Sequence, residues 1–194
     1  VTGAVRIFAE LKQQFDVVSY QRSWQGYRLL VLPDLILLDE EAIAKLRGHL
    51  QQGGAILASG WSGADMLKQR FALEEWGLRL EGEEPGDPAY LQIGDQLAEG
   101  MPDMPISFYE RGAAIRALGG TQVLGEIVAP YYNRQWDGEH GYVYLPPDKN
   151  TGRPAVTRRG EIAYVSHPLF TIYANHAPVP MRQLTANLLA LLLP

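Results

Sequence analysis

The chain has 194 residues, with 17 Lys and Arg against 22 Asp and Glu, a formal net charge of −5. No cysteine occurs, which excludes disulfides, thiolate metal sites and thiol catalysis. The acidic balance excludes a broad basic footprint for nucleic acid, and the longest apolar run, Ala186 to Leu193, is broken by Asn187 and falls short of the ~20 residues of a membrane helix.

In chain order, Ala4, Phe8, Leu11 and Phe15 recur at helical spacing and predict an amphipathic first helix. Phe15 to Ser19 then reads as a short strand. Tyr27 to Leu32 (YRLLVL) is a near-continuous apolar run closed by Pro33 and Asp34, as suits a parallel strand covered on both faces. Asp39 is the expected N-cap of a second helix, with Glu40 and Glu41 in its first turn, where the helix dipole favours negative charge. Ile43, Leu46 and Leu50 form its inward stripe, His49 falls on its exposed face, and Gly53-Gly54 stops it. Ala55 to Ala58 is the next strand, followed by a glycine-rich turn over Ser59 to Gly63. Strand and helix alternate with short loops, which predicts an open α/β sheet.

Ten acidic residues between Glu74 and Glu110 face only Arg79 within that stretch, and prolines 85, 88, 102 and 105 interrupt it. The segment reads as a solvated excursion with short strands, an acidic insertion around 74–110. Thr121 to Ile127 and Gly141 to Leu145 read as strands, Pro146 to Pro154 as a loop, and Glu161 to Ser166 as a central strand. Pro180 to Leu193 reads as a closing helix with Leu184 and Leu188 inward. The chain opens at Val1 on a helical pattern, so a preceding strand and a longer parent chain are expected.

Two groupings could carry chemistry. Gly60-Trp61-Ser62-Gly63-Ala64 approaches the nucleophile elbow G-x-S-x-G; Ser62 would need a base, for which His167 at the end of a strand is the candidate, and no acid stands out. Tyr131 to Tyr144 joins five aromatic residues to amide, guanidinium and carboxylate groups. Rings with an apolar face and a polar rim suit a sugar or a partner surface, so Tyr132, Asn133, Arg134, Trp136 and His140 are the carbohydrate or interface candidates. Asp137 and Glu139 lie in one loop, whereas glycosidase carboxylates oppose each other across a cleft. His176 is expected on the surface. The four histidines are scattered and give no zinc spacing, and neither metal nor cofactor is expected.

The stretches GAVRIFAELKQQFDVVSYQRSWQGYRLLVLPD (3–34) and LDEEAIAKLRGHLQQGGAILASGWSG (38–63), with the looser PAVTRRGEIAYVSHPLFTIYANHAPVPMRQLTANLLALLLP (154–194), resemble the trimerisation domain of family-42-type β-galactosidases and related glycoside hydrolases. The match is best over residues 3–70. The resemblance implies a class I glutamine amidotransferase-like, flavodoxin-like fold: an open, mostly parallel sheet flanked by helices, forming one domain over residues 1–194. In active amidotransferases of that fold a cysteine stands at the elbow and a His-Pro-Glu stretch supplies the base and its partner. Here the elbow falls at Ser62, and Leu169 follows His167-Pro168 in place of the glutamate, so Ser62 and His167 are vestigial and no catalytic residue is expected. The function implied is a non-catalytic module that assembles into a homo-oligomer or shapes the carbohydrate site of an adjoining catalytic domain, in the cytoplasm, without nucleic-acid or membrane partners. The alternatives are an independent carbohydrate-binding protein and a serine hydrolase using Ser62 and His167.

Overall fold

A computed structural model describes residues 1–134 and 145–193. The first helix, α1 (Thr2–Glu10), buries Ile7 and Phe8. It ends earlier than the apolar spacing predicts, because Lys12 turns left-handed (φ 56°) and the Gln13 N–H closes back on the Phe8 carbonyl. Phe15 still packs edge-on against Phe8, but residues 15–19 form no strand. Strand β1 (Leu29–Leu32) lies inside the expected apolar run. Helix α2 (Glu40–Gln51) begins as expected: the Asp39 carboxylate accepts from the Ala42 N–H at 2.9 Å. His49, expected on the exposed face, is buried. Its Nε2 sits 2.9 Å from the Ala55 carbonyl, and the ring occupies the space that any side chain at Gly54 would take. Strand β2 (Ala55–Ser59) is buried throughout.

The acidic stretch then builds structure. Strands β3 (Leu78–Glu83), β4 (Ala89–Ile93) and β5 (Ile106–Phe108) fall within it, and β6 (Ala113–Ala117), β7 (Gln122–Pro130), β8 (Pro147–Arg159) and β9 (Ile162–Val165) follow. The expectation of a solvated excursion is corrected here, since Leu91, Leu97 and Phe108 lie in the main core. Opposing cations come from outside the run of acids: Arg47 of α2 pairs with Glu75, Arg116 with Glu81, Arg111 with Glu83 and Asp87, and Arg153 with Glu84. Glu84 is buried, its Oε2 accepting from Arg153 Nε at 3.0 Å. The stretch 146–154, expected as a loop, belongs mostly to β8. Its prolines and Gly152 (φ 69°) are accommodated by register shifts along the β7–β8 pairing. The strand expected over 141–145 lies, except for Leu145, outside the described residues. Helices α3 (Leu169–His176) and α4 (Val179–Leu192) close the chain.

The main sheet has seven strands in the order β1-β2-β9-β8-β7-β4-β5. Its parallel part is confined to β1, β2 and β9, and every other pairing is antiparallel. The sheet is therefore mixed, with a larger antiparallel part than the expected mostly parallel sheet. Antiparallel neighbours need no helical crossover, and β8 returns into β9 through a tight turn at Gly160. Side-chain alternation sorts two cores. Ala55, Leu57, Ala163 and Val165 face α1, α3 and α4, whereas Ile56, Ala58, Ile162 and Tyr164 face α2 and the two-stranded sheet β3-β6. Strand β9 is interior to the sheet, as the sequence predicts. No described helix is long and apolar enough to cross a membrane.

Candidate functional site

In open α/β sheets ligands bind outside the carboxyl ends of the parallel strands, so the ends of β1, β2 and β9 are the place to look. Strand β1 runs out into Pro33 and Asp34, β2 into Ser59 to Gly63, and β9 into Ser166, His167 and Pro168 before α3. The centre of this crevice is occupied by the chain's own Asp34. Its Oδ1 accepts from Ser59 Oγ at 2.6 Å and from the Phe170 N–H at 3.2 Å. Its Oδ2 accepts from the Thr171 N–H at 2.6 Å and from Thr171 Oγ1 at 2.7 Å. The carboxylate thus supplies the acceptors that the first turn of α3 needs, and it does so from another element.

Backbone geometry fixes this arrangement. Asp34 has φ 61°, in the left-handed region, which Asp tolerates better than most residues. The Trp61 N–H donates to the Asp34 carbonyl at 2.7 Å. A Cβ on Gly60 (φ 59°) would stand 2.6 Å from that carbonyl oxygen, so only glycine lets the two turns meet.

Ser62 is buried in this turn. Its hydroxyl accepts from the Ile36 N–H at 2.9 Å, tying the β1–α2 connection to the elbow. His167 is also buried. Its Nδ1 lies 2.9 Å from Ser166 Oγ, its ring stacks on Phe108 with centroids 3.9 Å apart, and its Nε2 has no hydrogen-bond partner. Burial pushes the imidazole down to about 3, so the ring is neutral. Ser62 and His167 share no hydrogen bond. Leu169, where the resemblance places a glutamate, is fully buried in the apolar core. The arrangement holds loops together: Ser62 is buried, and His167 is paired with Ser166 and not with Ser62.

The second candidate group is placed only in part. Tyr131 and Tyr132 are exposed and meet edge-on, with ring centroids 6.1 Å apart. Asn133 is engaged in the fold, its Oδ1 accepting from the Asp87 N–H at 3.1 Å, and the Arg134 N–H donates to the Asp87 carbonyl at 2.6 Å. The Arg134 side chain is exposed. Trp136 and His140 lie outside the described residues, as do Asp137 and Glu139. His176 is exposed, as expected, and stacks on Tyr109. Among the described residues no cluster of three or more His, Asp or Glu could hold a metal ion. Sequence reasoning missed Asp34 and Thr171 as the hub of the crevice. The available signal was an acid directly after an apolar strand, read only as a strand stop.

Residues 6–81 match the family described as the beta-galactosidase trimerisation domain. Beta-galactosidase GalA of Bacillus licheniformis is 32% identical over 96 residues, which cover 48% of this chain and 14% of that protein. The alpha-L-fucosidase isoenzyme 2 of Paenibacillus thiaminolyticus superposes over 98% of this chain and 29% of its own, with 29% identity and a TM-score of 0.86. A glutamine amidotransferase of Thermotoga maritima shares the fold over 97% of this chain and 90% of its own, with 11% identity and a TM-score of 0.57. The chain therefore spans less than a third of the length of either glycosidase. The resemblance to the trimerisation domain and to amidotransferase-like folds, drawn above from the residues, is found again in these relatives.

Proposed function

We propose that this chain is a non-catalytic accessory module of a glycoside hydrolase, with a flavodoxin-like arrangement around β1, β2 and β9, whose task is to assemble copies of the protein or to shape the carbohydrate site of an adjoining catalytic domain. The cytoplasmic location expected from the sequence belongs to the same proposal. One observation carries it. The strand-end crevice, where a ligand would bind in this architecture, is filled by the Asp34 carboxylate and its partners on Ser59, Phe170 and Thr171. The trimerisation-domain match over residues 6–81 supports the assembly role.

Light scattering of the chain across a concentration series tests this reading. A stable oligomer is expected, and a strict monomer at the highest concentration would reject the assembly role. The carbohydrate-binding alternative draws support from the exposed rings of Tyr131 and Tyr132. It requires saturable sugar binding that Trp136→Ala abolishes. Against the serine-hydrolase alternative stand the buried Ser62 hydroxyl, engaged by Ile36, and His167, whose hydrogen bond goes to Ser166 and not to Ser62.

A further inference from the structure

We infer that the rim of the sheet beyond the closed crevice, built from the loops after β5 and β7 and the β3–β4 connection, binds a neutral oligosaccharide. The inference deepens the carbohydrate part of the reading above and does not depend on assembly.

Strand directions gather this rim. β9 pairs antiparallel with β8, β8 with β7, β7 with β4 and β4 with β5, so β7 and β5 run in the same sense as β1, β2 and β9. Their carboxyl ends therefore lie on the crevice side of the sheet, together with the amino end of β4. Asp34 closes the crevice itself, but loops 84–88, 109–112 and 131–134 carry the same side onward past it. These loops are fixed to one another. The Asp87 N–H donates to Asn133 Oδ1 at 3.1 Å, and its carbonyl accepts from the Arg134 N–H at 2.6 Å. Arg111 donates from Nη2 to Asp87 Oδ2 at 3.4 Å and from Nη1 to Glu83 Oε2 at 3.2 Å. Beside it, Glu110 Oε1 accepts from Asn175 Nδ2 at 2.9 Å. Loops ordered in advance lose little freedom when a ligand covers them.

This polar line ends in aromatic rings on both sides. At one end Tyr131, 71% exposed, meets Tyr132 edge-on. At the other, Tyr109, 46% exposed, stacks on His176 with ring centroids 4.7 Å apart. Apolar ring faces flanking amide, guanidinium and carboxylate groups suit pyranose units, whose C–H faces lie on the rings while their hydroxyls bond the polar groups. A platform at either end calls for more than one sugar unit. Charge selects the neutral class. Arg111 is already shared between Glu83 and Asp87, so the centre of the rim holds little pull on an anion. It keeps guanidinium donors beside carboxylate acceptors, the pairing that a hydroxyl, at once donor and acceptor, can use.

Isothermal titration of the whole chain with cellotetraose, β-1,4-mannotetraose and β-1,4-galactotetraose tests this, with polygalacturonate as the anionic comparison and light scattering of the same samples for mass. At least one neutral tetrasaccharide is expected to bind saturably, and polygalacturonate no more tightly. Tyr109→Ala, Tyr131→Ala and Arg111→Met are each expected to weaken that binding about tenfold, with unchanged circular dichroism. Leu118→Ser, exposed in the β6–β7 connection at the opposite side of the sheet, is expected to bind as the parent does. Failure of all three neutral sugars to bind, parent-like binding by all three rim variants, or preference for polygalacturonate would overturn the inference. A monomer that binds through the rim would reject the assembly role alone, and an oligomer that binds none of these sugars would reject the rim alone.

Discussion

Asp34 and Thr171 stand 137 positions apart in sequence, yet one carboxylate oxygen of Asp34 accepts from both the backbone N–H and the hydroxyl of Thr171. With Ser59 on the other oxygen, this contact joins the ends of β1 and β2 to the start of α3.

Asp34→Ala should cost about 3 kcal/mol of stability, because it strands the buried donors on Ser59 and Phe170 and removes the acceptor of the part-buried Thr171 N–H and hydroxyl. It also places an ordinary residue at a left-handed φ. Asp34→Asn keeps one acceptor oxygen and tolerates that backbone, so its loss should be smaller. Urea unfolding of both variants checks the order, and equal stability of Asp34→Ala and the parent would refute the latch.

His167 makes stability depend on pH with a defined sign. Burial lowers the ring from its ordinary 6.5 to about 3, so between these values the unfolded chain binds a proton that the fold rejects. Above 6.5 the site costs nothing. As pH falls below 6.5 stability declines at about 1.4 kcal/mol per pH unit from this group, levelling off near 3. Urea midpoints from pH 7 to pH 4.5 should fall less steeply in His167→Gln than in the parent; identical slopes would contradict the burial argument.

Gly3 allows α1 to lie against α3. A Cβ there would collide with the Phe170 carbonyl and press on the Ala174 N–H. Gly3→Ala normally favours a helix, but here it should destabilise by about 2–3 kcal/mol through overpacking. A thermal midpoint equal to or above the parent's would show that the helices separate freely.

Ser62→Ala removes the acceptor of the Ile36 N–H and should cost about 1 kcal/mol. It should leave hydrolysis of an activated ester at the rate of the parent, since the hydroxyl serves the loop and not a reaction. A drop in ester turnover on this substitution would revive the hydrolase alternative.

Much of the first third was legible because its signals are local. The Asp39 cap, the α2 stripe and the apolar strands β1 and β2 follow from neighbouring residues and short periods. The failures have physical causes too. Apolar spacing carried α1 on to Phe15, but a left-handed Lys12 ended it. The acidic run looked solvated because Arg111, Arg116 and Arg153, which neutralise part of it, lie 24 to 69 residues away from their partners in some of these pairs. His49 sat on the polar side of the α2 pattern, but Gly54 opened a space for its ring.

The α/β character, the absence of thiol chemistry and the likeness to a trimerisation domain could all be read from the residues alone, because composition, periodicity and motif are local properties of the chain. That the sheet turns antiparallel after β9, and that Asp34 closes the crevice, emerges only from packing. Packing likewise assigns Ser62 and His167, paired in the serine-hydrolase alternative, to separate contacts. Those outcomes depend on which distant donors and acceptors meet when the chain is packed, and burial forces such groups to find partners that no local window contains.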